Sequence, residues 1–385
     1  MDLNKTYKKQ DSISEINFKD SFYENETIQR IIKISKNKKL ISHLSIAHQN
    51  ILKRAITDLN SKDKKKKKDK FKLTSYAISE IDILPDTFVL KYLVHRYRYE
   101  IFPVTKEIDE FPPYLQIEPT SICNYRCIFC FETDTTFTNK KNGFMGNMTY
   151  DLFKKIIDNA EGNVEFVTLA SRGEPLACKD ISQMLSYTND KFISLKLNTN
   201  ASLLNEEKCH AILSSGIRTL IFSADAADKK LYAKLRVNGK LDVVLKNIER
   251  FKNIKEKQYS NKKMITRVSG VKFSKEQNFN DMKNLWQGLV DQVAFVDYNP
   301  WENSYDKNHN GLTEPCSDLW RRMFIWWDGK ANPCDIDYKS MLTTGTFHKK
   351  NLSDLWQSDS YNMLRESHLK KERQKITPCK SCFLV

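Results

Sequence analysis

Two groups of cysteines carry most of the chemistry that this sequence offers. In the first group, Cys123, Cys127 and Cys130 follow a C-x3-C-x2-C spacing. Three thiolates on one short loop can hold three corners of a [4Fe–4S] cluster, which leaves one iron without a protein ligand. An open coordination position is where a metal centre binds a substrate or a cofactor. A structural zinc site needs four ligands, and no fourth cysteine or histidine lies nearby, so a reactive cluster is favoured.

The second group lies near the C-terminus and follows a C-x17-C-x44-C-x2-C spacing: Cys316, Cys334, Cys379 and Cys382. Four thiolates complete the ligand set of one closed cluster, although the composition also permits a four-cysteine zinc site. Asp328-Gly329 predicts the turn of a hairpin that delivers Cys334. The remaining cysteines, Cys178 and Cys209, lie in predicted helices, where a lone cysteine usually acts as a small core residue.

Composition and charge limit the cellular setting and the partners. We expect a cytoplasmic protein, where thiols stay reduced and clustered cysteines indicate metal binding rather than disulfides. The sequence contains no run of eighteen apolar residues, so we expect no transmembrane helix. Residues 1–10 show no signal peptide. The net charge of +15 raises nucleic acid as a partner, but eight lysines fall in residues 62–72, which are typical of a solvated linker. Because no aromatic-rich RNA-binding motif accompanies these lysines, we do not favour nucleic acid as the partner of this protein. The alternative to a linker is that the lysine segment contacts an RNA, an acidic carrier or a membrane face.

Short apolar runs alternate with amphipathic stretches in the middle of the chain. The runs predict six strands, at Tyr114–Glu118, Val164–Ala170, Ile193–Asn198, Thr219–Ser223, Met264–Val268 and Gln292–Val296. The stretches between them predict helices, at Tyr150–Ala160, Asp180–Thr188, Glu206–Ser214, Val243–Phe251 and Phe279–Leu289. Strands that alternate with helices predict a parallel α/β sheet with right-handed crossovers. Such a sheet places its chemistry at the carboxyl ends of its strands.

Three regions follow from these patterns. Residues 1–111 are charged and predicted to be mainly helical, with apolar residues at helical spacing in Ile28–Ile34, Ile41–Leu59 and Asp86–Arg98. Pro112-Pro113 blocks a helix and marks the start of the core region, residues 112–300. From residue 301 to residue 385 the pattern changes to short strands, turns and one late helix near Leu352–His368.

The first cysteine group resembles that of the radical S-adenosylmethionine superfamily. The resemblance implies a partial (β/α)6 barrel whose open iron chelates the methionine part of S-adenosylmethionine. One electron then cleaves the cofactor, and a 5′-deoxyadenosyl radical abstracts a hydrogen from the substrate, while the protein positions the reacting groups. The electron would come from a donor such as flavodoxin or ferredoxin.

The resemblance extends to residues that contact the cofactor in the family. Ser171–Pro175 resembles the GGEP motif, in which Glu174 would receive the cofactor's amino group and Arg172 replaces the first glycine. Phe129 precedes the last cysteine of the loop, and Ser223 begins a Ser-x-Asp pattern whose serine often touches the cofactor. The other two candidates for cofactor binding are arginines, Arg236 and Arg267, either of which the sequence also allows as a structural residue. Thr199-Asn200 resembles the family's TNG turn. These two residues could form only a turn, or they could also contact the substrate.

The C-terminal cysteine group resembles the SPASM/Twitch extension of the same superfamily. Because only four cysteines are present, the resemblance implies the shorter Twitch type with a single auxiliary [4Fe–4S] cluster. The cysteine spacing is similar to that of family members that oxidise a secondary alcohol of an aminocyclitol. Oxidation of a polar small molecule such as a sugar or cyclitol, with the auxiliary cluster as electron acceptor, is therefore the leading hypothesis.

Two other functions stay open at this point. Many members with this extension modify peptides, and the basic N-terminal region has the charge to bind an acidic leader, although no peptide-binding pattern is readable there. The third hypothesis is not an enzyme: a zinc protein that binds nucleic acid. No residue stands out as the catalytic base; Asp297, Tyr298 and Glu302, after the sixth predicted strand, are weak candidates.

Overall fold

The computed structural model describes residues 6–7, 13–18, 24–61, 69–300, 302 and 304–385. Most of the lysine-rich segment, residues 62–68, lies outside the described residues, as does residue 301, where we predicted the core region to give way to the C-terminal region. None of the helices in the described part combines the length and the apolar character that crossing a bilayer requires.

The N-terminal region contains one strand and a group of helices. Its elements are β1 (Ile13–Phe18), α1 (Glu24–Ile34), α2 (Lys38–Ser42), α3 (Ile46–Asn60), α4 (Ser75–Asp82) and α5 (Asp86–Thr105). The helical expectation for Asp86–Arg98 is met by the longer helix α5. The apolar stretch Ile41–Leu59 is divided, because the side chain of Ser45 accepts a hydrogen bond from the His48 amide and begins a new helix there.

The core region alternates strands and helices. Its strands are β2 (Tyr114–Ile117), β3 (Arg126–Cys127), β4 (Phe166–Leu169), β5 (Ser194–Thr199), β6 (Ile217–Ser223), β7 (Arg236–Val237), β8 (Ile265–Lys272) and β9 (Gln292–Asp297). Its helices are α6 (Thr135–Thr138), α7 (Tyr150–Ala160), α8 (Ile181–Tyr187), α9 (Glu206–Leu213), α10 (Lys229–Leu235), α11 (Leu241–Gln258) and α12 (Phe279–Trp286). Polar caps start several helices; the side chains of Thr149, Asn205 and Asp228 each accept a hydrogen bond from a first-turn amide.

The C-terminal region adds a hairpin and two short helices. Its elements are β10 (Arg322–Ile325), β11 (Lys330–Asn332), β12 (Gly345–Thr346), α13 (Leu352–Trp356) and α14 (Asp359–Leu369). The predicted late helix is therefore two helices, since Ser358 caps the start of α14 through the Tyr361 amide. Gly329 has φ +79°, the left-handed conformation that the predicted Asp328-Gly329 turn requires.

Ten strands form one sheet in the order β1-β9-β8-β6-β5-β4-β2-β10-β11-β12. The six central strands, from β2 to β9, are all parallel and follow the chain, which is the arrangement of a partial (β/α)6 barrel. Strand β1 adds an antiparallel edge next to β9, and β10 runs parallel to β2. The strand in the N-terminal region was not predicted. The sheet also runs without interruption from the core region into the C-terminal hairpin.

The two faces of the parallel sheet differ in polarity. Alternate residues of a strand lie on opposite faces. One face is apolar, as in Leu195 and Leu197 of β5, and belongs to the main hydrophobic core together with the helices. The opposite, concave face carries many polar residues: Gln116, Thr168, Lys196, Asn198, Thr219, Ser223, Arg267, Ser269 and Gln292. Apolar residues such as Ile221 and Ala294 lie on the same face, so the lining is mixed and its polar side chains are available to a ligand.

The N-terminal helices pack against the amino ends of the parallel strands. Their hydrophobic cluster includes Phe166, the first residue of β4, and Ile193, which precedes β5. Buried polar contacts join the same surfaces: Lys196 pairs with Glu80, and the Gln292 side chain donates a hydrogen bond to Ser79 at 3.0 Å. We call this end of the barrel, with residues 75–105 beneath it, the floor, and the end at which the strands exit the mouth.

Candidate active site

The first cysteine group lies on a loop at the mouth, directly after β2. Cys127 belongs to β3, which pairs with β7, and the backbone amide of Cys130 donates a hydrogen bond to the Cys127 carbonyl at 3.0 Å. The Ile128 amide bonds the carbonyl of Leu235 at the same distance. Backbone bonds therefore fix the loop and leave the three thiol groups available as ligands.

These thiols lie in an environment that suits a metal cluster. Burial raises the pKa of Cys123 to about 12, and it also raises the pKa of Cys127 and, more strongly, of Cys130. After burial, the charge of Glu174 raises the pKa of Cys123 further, and the charge of Cys127 raises that of Cys130. Thiols must lose their protons to bind iron, and a positively charged cluster core would compensate for the burial of three thiolates. The donor set thus fits a [4Fe–4S] cluster with one open iron.

Arg236 lies beside this loop, as its assignment as a cofactor-binding residue requires. Its Nε donates a hydrogen bond to the Asp225 carboxylate at 2.5 Å, and its Nη1 lies 4.0 Å from the sulfur of Cys127. The Val271 amide bonds the other carboxylate oxygen of Asp225 at 2.6 Å. Asp225 therefore orients the buried guanidinium next to the cysteine loop, where it can meet a cofactor carboxylate.

Glu174 is also placed next to the cysteine loop, and its charge contributes to the raised pKa of Cys123. Its carboxylate accepts hydrogen bonds from the Thr199 hydroxyl at 2.6 Å and from the Asn200 amide at 2.7 Å. The Leu176 amide donates a third hydrogen bond at 3.0 Å. Glu174 therefore joins the loops after β4 and β5 and has about one lone-pair site left for an ammonium donor. A Cβ added at Gly173 would lie 2.4 Å from the Thr120 carbonyl oxygen, so this position of the GGEP-like segment requires glycine.

The other sequence candidates divide into two groups. Phe129 packs against Phe273 with ring centroids 5.3 Å apart, and Ser223 ends β6 opposite Ser269 of β8, so both lie at the mouth. Arg267 lies near the start of β8, where its Nε donates a hydrogen bond to the Gln292 side chain at 2.8 Å. Burial lowers the pKa of Arg267. The charged groups that influence this pKa next, beginning with Glu80, belong to the N-terminal helices. The structure thus places Arg267 at the floor, apart from the other four candidates.

The candidates for a catalytic base lie around the end of β9. The Tyr298 hydroxyl donates a hydrogen bond to the Glu302 carboxylate, and the Tyr298 ring packs on Phe273 with centroids 5.0 Å apart. Burial raises the pKa of Tyr298, so its hydroxyl stays protonated. Among the described residues, the second carboxylate oxygen of Glu302 has no hydrogen-bond partner. Asp297 ends β9 opposite Lys272.

The four C-terminal cysteines converge behind the hairpin of β10 and β11. Burial raises the pKa of Cys379 well above its usual value, and the charges of Cys382 and Cys316 raise it further. The pKa of Cys334 is raised in the same way by burial and then by the charges of Asp337, Cys379 and Cys316. Arg373 fixes the chain end here through the Cys382 carbonyl at 2.9 Å. One buried thiol, Cys316, and three half-buried thiols that influence one another's pKa fit a closed cluster.

Within the described residues, no three histidine, cysteine, aspartate or glutamate side chains converge tightly enough to hold a single metal ion. A zinc ion draws its sulfur ligands to about 2.3 Å from one point, whereas a [4Fe–4S] cluster spreads its thiolates around a larger core. The two isolated cysteines, Cys178 and Cys209, lie in the main hydrophobic core.

A buried ion pair at the mouth was not predicted. The Arg172 guanidinium donates two hydrogen bonds to the Glu118 carboxylate, one of them from Nε at 2.7 Å, and a third to the Tyr338 carbonyl at 2.8 Å. It also lies over the Trp326 ring, 4.3 Å from the centroid. Arg172 therefore links the ends of β2 and β4 to the C-terminal region. The sequence signal was an acidic residue, Glu118, directly after an apolar strand.

Comparison with known proteins agrees with this architecture. The radical SAM superfamily model matches residues 117–270, and the model of SPASM, an iron–sulfur cluster-binding domain, matches residues 316–383. A tungsten-containing aldehyde ferredoxin oxidoreductase cofactor-modifying protein from Pyrococcus furiosus is 24% identical over 307 residues, which are 66% of this chain and 83% of that protein. A GTP 3′,8-cyclase from Clostridium botulinum is 25% identical over 194 residues, 49% of this chain; the chain spans 56% of the cyclase.

Solved structures share the fold. Streptococcus suis SuiB bound to precursor peptide SuiA superposes with a TM-score of 0.55 at 19% identity, covering 93% of this chain and 86% of SuiB. Native anSMEcpe with bound AdoMet gives a TM-score of 0.50 at 15% identity, covering 70% of this chain and 88% of that one. The matched domains imply S-adenosylmethionine and [4Fe–4S] clusters as cofactors. The two family models together match more than half of the chain, which belongs to the radical S-adenosylmethionine superfamily and is an enzyme with a C-terminal SPASM extension.

Proposed function

We propose that this enzyme oxidises a secondary alcohol of a polar small molecule, such as a sugar or a cyclitol. The observation that carries this proposal is the set of polar side chains on the concave face of the barrel. At the mouth this face presents Asn198, Ser223 and Ser269, which are short hydrogen-bonding side chains on three neighbouring strands. A peptide side chain that is largely apolar would leave these groups unpaired, whereas a polyhydroxylated substrate can satisfy them.

Buried polar atoms that have no partner support the same substrate class. In the described part of the chain these include oxygen atoms of Glu132, Asn147, Ser171 and Asn198, all on the cysteine loop, on its neighbouring segments or on β5. Buried polar groups are almost always hydrogen-bonded in proteins. The Asn147 and Asn198 oxygens accept hydrogen bonds, the Ser171 hydroxyl can also donate one, and burial raises the pKa of Glu132 to about 8, so its carboxyl can donate too. The hydroxyl groups of a ligand donate and accept, and are therefore suitable partners for all of them.

We further propose roles for the residues around the mouth. Cys123, Cys127 and Cys130 would hold one cluster, and Arg236 and Glu174 would orient the cofactor's carboxylate and amino group. Cys316, Cys334, Cys379 and Cys382 would hold the auxiliary cluster. When bound, these groups would supply hydrogen abstraction and a one-electron acceptor. The Arg172–Glu118 pair holds the C-terminal region against the mouth, which excludes water from the reacting groups.

Alcohol oxidation removes a hydrogen atom, a proton and one further electron from the substrate. The proton needs an acceptor on the protein. We assign this role to Glu302, because it has a free carboxylate oxygen and its partner Tyr298 stays a hydrogen-bond donor. A Glu302→Gln variant should still transfer hydrogen from the substrate, but it should form less ketone.

The test uses the full-length chain, reconstituted anaerobically with iron and sulfide and reduced with dithionite. A panel of sugars and cyclitols deuterated at the carbinol carbon is added with S-adenosylmethionine. The expected result is deuterium in 5′-deoxyadenosine together with an equal amount of ketone. Deuterium transfer without any ketone would exclude dehydrogenation. Stimulation of cofactor cleavage by peptides, and by none of the alcohols, would favour the peptide-modifying alternative.

A further inference from the structure

Arg373 is a buried arginine of the C-terminal region, and the guanidinium contacts only the backbone. The residue is 1% exposed. The guanidinium donates hydrogen bonds to four carbonyl oxygens, those of Glu314 at 2.7 Å, Leu384 at 2.9 Å, Cys382 at 2.9 Å and Cys379 at 3.4 Å. Its Nε is buried without a partner, and within the described part of the chain no carboxylate forms an ion pair with it. A full positive charge is therefore buried with no acidic side chain as its partner.

Two buried arginines at the mouth are compensated in a different way. Arg172 pairs with Glu118, and Arg236 pairs with Asp225 at 2.5 Å. Burying a charge without a partner is strongly unfavourable, so buried charges are paired or lie beside a metal centre. The carbonyls around Arg373 satisfy its hydrogen bonds but carry no net charge. This position therefore requires an anion that the carboxylates of the region do not supply.

The contacts of Arg373 lie on the segments that carry the C-terminal cysteines. Two of its four carbonyl partners belong to Cys379 and Cys382 themselves, and a third belongs to Glu314, two residues before Cys316. Burial raises the pKa of these three cysteines, and the charge of Arg373 partly offsets this increase at each of them. Four thiolates outweigh the positive charge of an iron–sulfur core, so the auxiliary cluster with its ligands is an anion.

The acidic side chains that influence these cysteines have partners of their own. Asp318 lies 3.7 Å from Arg321 and 3.8 Å from Arg322. Asp337 accepts hydrogen bonds from the Tyr305 hydroxyl at 2.9 Å and from two backbone amides. In the described structure neither carboxylate pairs with the Arg373 guanidinium, so its positive charge remains available to the cluster.

We infer that Arg373 is the counter-charge of the auxiliary cluster and raises the reduction potential of that cluster, which makes it an electron acceptor. The inference rests on the proposed function, in which the four C-terminal cysteines hold this cluster. In the proposed reaction the substrate loses a hydrogen atom to the radical, a proton to Glu302 and one electron to the cluster, which is reduced by that electron. Because reduction adds a negative charge, a buried positive charge stabilises the reduced form more than the oxidised form.

The test measures the potential of the auxiliary cluster directly, without cofactor or substrate. The full-length, reconstituted chain should hold this cluster alone when it carries Cys123→Ala, Cys127→Ala and Cys130→Ala. Arg373→Gln and Arg373→Lys are added to this parent separately. Lys375→Gln is the matched control, since Lys375 lies in the same short helical turn, pairs with Glu372 and has a side chain that is 74% exposed. Redox titration is followed by electron paramagnetic resonance of the reduced cluster, and iron and sulfide are quantified in each protein.

At a fixed potential, the ratio of reduced to oxidised cluster should be about tenfold lower in Arg373→Gln than in the parent, corresponding to about 59 mV for a one-electron couple. Arg373→Lys keeps the charge, and Lys375→Gln removes an exposed charge that solvent and salt screen, so each should change the ratio less than about twofold. If Arg373→Gln loses its iron while Arg373→Lys keeps it, the cluster requires the charge, which also supports the inference.

Two results would overturn the inference. One is an unchanged potential in Arg373→Gln. The other is a loss of iron or a shift in potential as large in Arg373→Lys as in Arg373→Gln, because the geometry of the hydrogen bonds, and not the charge, would then decide. Zinc in place of iron in the parent would instead contradict the ligand assignment. Failure of every alcohol to yield a ketone would contradict the proposed function and leave the measured potentials unaffected.

Discussion

The floor and the mouth of the barrel both bury ion-paired carboxylates, Glu80 at the floor and Glu118 at the mouth, but the mouth also holds one carboxylate, Glu132, that is satisfied differently. At the floor, Lys196 contacts Glu80, which also accepts a hydrogen bond from the Tyr92 hydroxyl at 2.7 Å. At the mouth, the described structure leaves both carboxylate oxygens of Glu132 without a hydrogen bond, with Arg126 3.2 Å away as the nearest cation. Polar groups that are fully hydrogen-bonded hold two parts of a protein together, whereas a carboxylate with one ion pair and no hydrogen bond keeps binding capacity for a ligand.

The contrast assigns the N-terminal helices a structural role. They close the amino ends of the strands, which is the side opposite to the cysteine loop. A buried network of this kind specifies one docking geometry and is strongly destabilised when one partner is removed. The four predictions below test whether the floor acts through stability and the mouth through binding and chemistry.

The largest effect is expected from the mouth itself, for Cys127→Ala. Loss of one of three ligands should abolish cofactor cleavage and remove about four of about eight iron atoms per chain. Iron and sulfide analysis with 5′-deoxyadenosine quantification measures both. Cys209→Ala is the control, because Cys209 is buried in the hydrophobic core, and it should keep its iron. Full iron content in Cys127→Ala would remove this cysteine from the ligand set.

At the floor, Glu80→Gln should lower the free energy of unfolding by about 3–5 kcal/mol, because Lys196 would stay buried without its counter-charge. Denaturant titration of the full-length chain without clusters measures this change. The double variant with Lys196→Met should recover much of the loss. A change below about 1 kcal/mol would mean that the floor is solvated and that the contrast with the mouth fails.

A pH effect is also expected from the floor, through His95 on α5. Burial first, and then the charge of Arg98, lower the pKa of His95 well below its usual value, and its Nδ1 accepts a hydrogen bond from Arg98 at 3.0 Å. The unfolded chain takes up a proton below about pH 6.5 and the folded chain does not, so stability falls as pH is lowered. Between pH 7 and 5 this loss is about 2 kcal/mol.

His95→Gln keeps an acceptor for Arg98 and removes the titration. Denaturant titrations at pH 7 and pH 5 should therefore show a smaller pH dependence for the variant than for the unchanged chain. Parallel pH profiles for the two proteins would show that His95 is accessible to protons in the folded state.

The smallest effect is expected from Asn198→Ala at the mouth. Because one side-chain oxygen of Asn198 is buried without a partner, its removal should leave the free energy of unfolding unchanged or slightly higher. The KM for the substrate should rise about tenfold, or about 1.4 kcal/mol, with little change in kcat. Steady-state kinetics and denaturant titration together check this pair of results. Destabilisation with unchanged KM would place Asn198 with the structural residues of the floor.

Much of the fold followed from local patterns. The central helix α7 has the predicted bounds, Tyr150–Ala160, and all six predicted parallel strands are present. These elements are readable because their apolar residues recur at strand or helix spacing and capping residues mark the ends. Strand β1 was missed because a short edge strand gains its stability from pairing with β9, and its own sequence carries no comparable signal.

For the two candidate arginines, the position along the strand decided which one lies near the cysteine loop, a question that the residue spacing in the sequence left open. Arg236 and Arg267 were equivalent as sequence candidates, yet Arg236 follows a helix at the mouth and Arg267 occupies the third position of β8, near its amino end. Whether a side chain near the start of a strand faces the cofactor or the floor depends on what packs beneath the barrel. That packing partner, the group of helices before residue 106, is distant in sequence.

The sequence by itself determined the two cysteine groups and the order of strands and helices, because these depend on residue spacing and on local conformational preference along the chain. Only the tertiary structure decided that position 173 needs glycine beside the Thr120 carbonyl, that Arg172 pairs with Glu118 and Tyr338 and that Lys196 meets Glu80. These contacts join residues far apart in the chain, and the burial that gives them their strength exists only after the barrel, the floor and the C-terminal region have assembled.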